Sequence, residues 1–236
     1  MAQLVSSKNL LMSSRPLVVG VISDAEVMHD FVSQSAEMQQ TTCDVVELRL
    51  DLIGLPAAEL RAAASGVVLP VLLTARHPAE GGQGAESGEA RAAMIEPLLD
   101  IAALVDIELR SVNDMRGLLA KARGMGVSVL GSFHDFQATP ADDVLRGAVT
   151  FAENAGLDAV KMAAYVNSVE DLFRLGRLVG EPKRLRLSAM GMGPWGRVSR
   201  LLLAKCGSLL NYGYLGESNA PGQWPARQLK ELLNEL

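Results

Sequence analysis

The chain has 236 residues, 49% hydrophobic and 21% charged, which is enough apolar material for one large domain or two small ones. Its net charge of -5 and pI near 5.3 leave no basic excess to draw nucleic acid or an anionic membrane. No run approaches the roughly 18 apolar residues of a membrane span. The opening MAQLVSSKNLLMSSRP lacks the apolar core of a signal peptide. Cys43 and Cys206 lie far apart in or beside apolar stretches, so both are expected to be buried free thiols rather than a disulfide or metal framework. These bounds suggest a cytoplasmic, enzyme-like globule.

Residues 1–15 read as a flexible N-terminal tail and 16–236 as a single domain. From there the chain alternates. PLVVGVIS (16–23) reads as a first strand, followed by a helix over 25–40. CDVVELRL (43–50) and VVLPVLLTA (67–75) are the next strands, with helices over 56–65 and 86–101. Between the third strand and third helix lies a Gly-rich loop, EGGQGAESGEA (80–90). The strands ALVDIEL (103–109), GVSVLGSF (126–133) and LDAVKMA (157–163) alternate with helices over 112–124, 140–155 and 168–179. KRLRLSAM (183–190) and GSLLNYGYL (207–215) complete eight strands, with helices over 196–205 and 222–235. Eight strand–helix units within this length predict a parallel (β/α)₈ barrel. An open doubly wound sheet is the alternative, but no Gly-rich dinucleotide or phosphate-loop fingerprint follows the first strand.

In such a barrel alternate strand residues point to the axis, and ligand sites lie at the strand carboxyl ends. Several polar residues then fall inward or at those ends. Glu47 and Arg49 share the inward parity, whereas Val46, Leu48 and Leu50 face the helices. Arg76 closes the third strand and Glu80 follows in its loop. Asp106 and Glu108 read as inward carboxylates lower in the barrel. Ser132 and His134 point inward on the fifth strand, and Lys161 does so on the sixth between Ala159 and Ala163. Met190 and Met192 point in as packing, Arg200 lies in the following helix, and GESNAPGQ ends at Gln223.

Each residue also has a structural reading. Glu47 and Arg49 would serve as an ion pair, His134 as a hydrogen-bonded core histidine and Arg200 as a solvated helix residue. His29 and His77 read as surface residues. Metal ligation by Asp106 and Glu108 would need a His/Asp/Glu cluster that the spacing does not supply. The functional reading gains weight because Lys161, His134, Arg49, Arg76 and Gln223 fall at or near strand carboxyl ends of different units.

A lysine inside a barrel and flanked by cations is expected to lose its proton readily and act as a nucleophile toward a ketone or aldehyde. A histidine on the neighbouring strand can move protons at the adjacent carbon. Several arginines suit an anionic substrate, most simply a carboxylate. Cofactor-free imine chemistry on a small oxo-acid is the reaction class these residues suggest.

The motifs VELRLD (46–51), TARHPAEGG (74–82), GSFHDF (131–136), VKMA (160–163), MGPWGRVSR (192–200) and APGQ (220–223) resemble, in order and over nearly the whole chain, those of the type I 3-dehydroquinate dehydratases. The resemblance implies a (β/α)₈ barrel without metal or organic cofactor that dehydrates 3-dehydroquinate to 3-dehydroshikimate in the shikimate pathway. It implies Lys161 as the Schiff-base lysine, His134 as the acid/base and Glu80 as the carboxylate that orients it. Glu47, Arg49, Arg76, Arg200, Asn219 and Gln223 are implied as substrate contacts, with Arg200 on the carboxylate. The small-molecule substrate is the implied partner; a homodimer is left open.

Three positions depart from the family pattern. Leu48 stands where an aromatic is usual, Asn219 where serine is common, and Gly20 at a first-strand position that can be serine, with Ser23 nearby. Two other readings compete. One is another aldolase- or transaldolase-like lysine barrel, which would want a phosphate site in the seventh and eighth loops. The other is a non-catalytic barrel that only binds a carboxylate metabolite.

Overall fold

The computed structural model describes residues 10–218 and 222–236. Eight parallel strands form the wall: β1 (Leu17–Ile22), β2 (Val45–Arg49), β3 (Val71–Thr74), β4 (Leu104–Glu108), β5 (Ser128–Asp135), β6 (Ala159–Tyr165), β7 (Arg186–Met192) and β8 (Leu210–Tyr214). Neighbours in sequence are neighbours in space from β1 to β7, and β8 pairs with β1 from Leu17↔Leu210 to Val21↔Tyr214. Between β7 and β8 the contact is sparser. Leu209 N donates to Leu187 O, while the Ser208 and Ser188 hydroxyls accept from Ala189 N and Leu210 N. Side-chain hydroxyls thus take over positions that backbone groups fill elsewhere, and the sheet curls into the expected barrel.

The alternation of side chains divides the core in two. Val46, Leu48, Val160 and Met162 pack outward against the helices. Val19, Val45, Leu72, Leu104, Leu130, Ala159 and Leu210 fill the barrel interior. Leu10 and Leu11 are also buried and join this interior cluster. The expected tail therefore falls partly on residues 1–9, outside the described residues, and partly on a packed segment.

Several element boundaries differ from the sequence pattern. The helix expected over 25–40 is two, Ala25–Val32 and Ala36–Thr42, because Ser35 caps the second by accepting from Met38 N. The helix expected over 86–101 is α-helical only over Gly88–Ile95; Pro97 lacks an amide proton and the run continues as a 3₁₀ turn over Glu96–Ile101. The last helix starts at Ala226 because Trp224–Pro225 extends alongside β8. Cys43 is buried as expected and its thiol is pushed up to about 12 by that burial. Cys206 is exposed instead, because it caps the C-terminus of helix Gly196–Lys205, where the chain turns outward.

Candidate active site

A cavity of about 240 Å³ opens at the carboxyl ends of the strands, walled by Glu47, Arg49, Arg76, Glu80, His134, Lys161, Arg200 and Gln223. Eight of the nine expected site residues are thus brought together from six strand units. Asn219 lies outside the described residues.

Lys161 is buried on β6, and the register Ser132↔Lys161 and His134↔Ala163 sets His134 on β5 two residues nearer the mouth. The lysine is not flanked by cations alone. Its Nζ donates to Asp106 Oδ2 at 3.0 Å and lies 4.3 Å from the ring centroid of Tyr212. Arg76 grips Asp106 with both terminal nitrogens at 2.8 Å and donates to Glu108 at 3.0 Å and Ser132 Oγ at 2.6 Å. Burial disfavours the Asp106 charge, but Arg76 and Lys161 more than offset that and hold its carboxyl well below the usual range. Asp106 therefore reaches the lysine directly, and Glu108 is joined to it only through Arg76.

The structural alternative for Glu47 and Arg49, an ion pair between them, does not form. Arg49 instead pairs with Asp51 in a two-point contact of 2.9 and 2.8 Å, while Glu47 accepts from the Thr74 hydroxyl at 2.7 Å. A carboxylate two residues on along the chain outcompetes one on the strand because the guanidinium can close both oxygens at once.

Glu80 ends a 3₁₀ turn over Pro78–Glu80 that the His77 ring caps by accepting from Ala79 N. Its Oε2 meets both His134 N, at 3.0 Å, and Nδ1, at 2.8 Å. Gly81 follows with φ of 83°, which favours glycine, and a Cβ on Gly82 would lie 2.0 Å from Arg76 O. These glycines fix the loop against the site as much as they loosen it. Burial pushes the Glu80 carboxyl up to about 7, with Arg76 opposing. Burial, then Arg76 and Lys161, holds His134 well below 6.5. A Glu80 that orients His134 therefore does so beside a neutral imidazole: near pH 7 the ring is uncharged, and the carboxyl is the group held toward its protonated form.

Arg200 is no solvated helix residue. It is 1% exposed, and burial lowers its guanidinium to about 10. Its Nε donates to Tyr212 O at 3.0 Å, and Nη1 to Gly191 O at 2.9 Å, Gly196 O at 2.8 Å and Gly222 O at 2.9 Å. It thus ties the β7 and β8 loops together at the cavity wall.

Gly20 does not face the cavity. A Cβ there would meet Cys43 Sγ on the helix side, and Val21 is the first-strand residue that lines the site. Sequence reading passed over Tyr212 and Phe136, whose ring stacks on His134 with centroids 6.4 Å apart. Tyr212 shares the inward parity of Leu210, which was a usable signal; Phe136 lies just past β5, where parity no longer applies. Among the described residues no group of three or more His, Cys, Asp or Glu side chains is arranged to hold a metal ion.

The whole chain is similar to proteins of known family. The family model for type I 3-dehydroquinase matches residues 22–236. The 3-dehydroquinate dehydratase of Methanothrix thermoacetophila is 34% identical over 193 residues, covering 82% of each chain. That of Methanococcoides burtonii is 27% identical over 231 residues, covering 95% of this chain and 96% of its own. The crystal structure of the Geobacillus kaustophilus 3-dehydroquinate dehydratase superposes with a TM-score of 0.84 at 26% identity, covering 96% of this chain and 93% of its own. With a family match over more than nine-tenths of its length and a barrel of the same form, the chain belongs to the type I 3-dehydroquinase family.

Proposed function

We propose that this chain dehydrates 3-dehydroquinate through an imine on Lys161, with His134 moving the protons. The enzyme is a hydro-lyase of the shikimate pathway, as its family membership gives; the residue roles are our reading. The observation that supports them is one buried cavity walled by an amine and a neutral imidazole on adjacent strands.

In this reading the Lys161 amine adds to the substrate ketone, and loss of water leaves a protonated imine. The imine draws electrons from the adjacent carbon, C2, whose proton passes to His134. The resulting enamine expels the hydroxyl on the next carbon, which leaves as water with the proton His134 returns. Hydrolysis of the conjugated imine then frees 3-dehydroshikimate and the amine. A neutral His134 is the form that can accept the first proton, and Glu80 at its Nδ1 side fixes the ring. Glu47 and Arg49 take substrate hydroxyls, Arg200 the carboxylate, and Gln223 closes the site from the last loop; Asn219, outside the described residues, keeps only its implied role as a substrate contact. Arg76, expected to touch substrate, is committed to Asp106, Glu108 and Ser132, so its direct contact is secondary to holding them.

Acidic net charge and two free thiols support a cytoplasmic site of action. Borohydride reduction with 3-dehydroquinate, read by mass spectrometry, tests the central step. A reduced adduct on Lys161 is expected, and its absence removes the imine from the mechanism. In His134→Ala the adduct should still form while turnover drops by about 10²–10⁴-fold. Near-normal turnover in that variant would assign the protons to another group.

A further inference from the structure

Lys161 is the last of five buried charges that run in a single file across the wall of the barrel. From helix Gly88–Ile95, Arg91 Nη1 donates to Glu108 Oε2. The other oxygen, Glu108 Oε1, accepts from Arg76 Nη1 at 3.0 Å and from His77 N at 2.9 Å. Arg76 in turn grips both oxygens of Asp106, and Asp106 Oδ2 accepts from Lys161 Nζ. No side chain in the file is more than 5% exposed, and the signs alternate from end to end. Arg91 and Glu108 do not line the cavity.

We propose that Arg91 and Glu108 are positioning residues for Lys161, acting through Arg76 and Asp106 to set how firmly the lysine nitrogen is held. The proposal rests on the imine reading above. Its physical basis is the sharing of Arg76 between two carboxylates. Arg91 neutralises Glu108 from the far side, so Arg76 is free to engage Asp106 at two points. Asp106 Oδ2 is then divided between Arg76 and Lys161 rather than given to the lysine alone. Without Arg91, Glu108 would draw Arg76 toward itself, and Asp106 would turn its full charge on Lys161. An ammonium so held gives up its proton less readily and attacks a ketone more slowly. Loss of charge at Glu108 works the other way, because Arg76 would then belong to Asp106 alone.

Arg91 is built into this place rather than stranded there. Its Nη2 donates to Ser111 Oγ at 2.7 Å, and its Nε is buried without a hydrogen-bond partner among the described residues. The guanidinium is oriented toward Glu108 at the expense of satisfying all its own donors. The charged and titratable groups around the lysine are Asp106 and Glu108 on β4, Arg76 after β3, Glu47 on β2, Glu80 in the third loop, His134 on β5 and Tyr212 on β8. Arg91 and Glu108 are the members of the file that neither line the cavity nor touch Lys161, whereas Asp106, also outside the lining, bonds the lysine directly.

The test measures the rate of borohydride-trapped adduct at Lys161 with 3-dehydroquinate across a pH series, together with kcat and KM. Arg91→Met should slow trapping about tenfold at pH 7 and move the profile about one unit upward, a tenfold rate change being equivalent to one unit. Glu108→Gln should move the profile downward. KM should change far less than kcat in Arg91→Met, and Arg91→Lys, which keeps the charge, should restore the wild-type profile. A purely structural role would lower thermal stability in both variants without opposite displacements. Folded variants with the wild-type profile, or displaced in the same direction, overturn the proposal. If Arg91→Met does not fold, Glu108→Gln and Arg91→Lys still decide the sign. An untrapped wild-type enzyme would instead overturn the imine reading itself, and the proposal with it.

Discussion

The two ends of the cavity are built on opposite plans. Beneath Lys161, side chain holds side chain: Arg76, Asp106, Glu108 and Ser132 meet through charge and hydroxyl contacts on strands β3 to β5. At the other end Arg200 has no carboxylate among its described partners and binds four backbone carbonyls from the β7 and β8 side. There the chain segments approach so closely that a Cβ on Gly222 would lie 2.6 Å from Gly193 O. The first plan stores charge in balanced pairs. The second keeps one positive charge without an anionic side chain on it among the described residues, and burial lowers its guanidinium to about 10. That contrast is why our proposal sets the substrate carboxylate on Arg200 rather than among the paired charges.

Removing Asp106 should produce the largest effect if the paired end is held by charge. Asp106→Ala leaves the Arg76 guanidinium short of its two-point partner, a loss of about 3–5 kcal/mol by analogy with other broken buried pairs. Denaturant unfolding measures it, and a change below about 1 kcal/mol would show that Glu108 alone suffices. At the other end, Arg200→Ala should raise KM strongly, equivalent to about 1.5–3 kcal/mol of binding. Borohydride trapping at high substrate should survive, since the amine and ketone are untouched. A wild-type KM would move the carboxylate elsewhere and erase the contrast between the two ends.

A smaller effect sharpens the account of the Glu80–His134 pair that stands between them. Glu80 is protonated in the folded chain from about pH 4.5 to 7, where the unfolded chain has lost that proton, so it makes stability fall as pH rises across that window. His134 is neutral in the folded chain, whereas the unfolded chain binds a proton below 6.5, so it makes stability rise with pH up to that point. Between about pH 5 and 6.5 the two slopes nearly cancel. Glu80→Gln should expose the histidine slope, about 1.4 kcal/mol per pH unit, with stability rising toward neutrality. Unfolding curves at several pH values check this, and a flat dependence in the variant would mean that His134 is not held neutral.

Strand parity made the paired end readable from sequence. Lys161, His134 and Glu47 point inward as expected because each sits within a strand whose outward neighbours are plainly apolar. Parity names directions but not partners: it puts Arg49 and Glu47 on one face, yet Asp51 is the carboxylate that holds Arg49. The same limit hid Asp106, an inward carboxylate whose contact with Lys161 depends on the register of β4 through β6. Arg200 was harder, because a helix residue carries no parity and its partners are backbone oxygens that no side-chain pattern encodes. On the first strand Val21, not Gly20, faces the cavity, since in a strand one residue exchanges the two faces.

The barrel is joined across its circumference by a full ladder between the first and last strands and by a hydroxyl-bridged junction between β7 and β8. The stronger of these joins residues nearly two hundred positions apart in the chain. During synthesis, therefore, β1 meets β2 early but waits for β8 until residues 210–214 have left the ribosome. Until then the interior stays open along one side, and Lys161 lacks both the Tyr212 ring beside it and the Arg200 clasp across from it. Partial chains expose an unmatched strand edge but no closed cavity, so a nascent chain gains this pocket in one late event rather than by degrees.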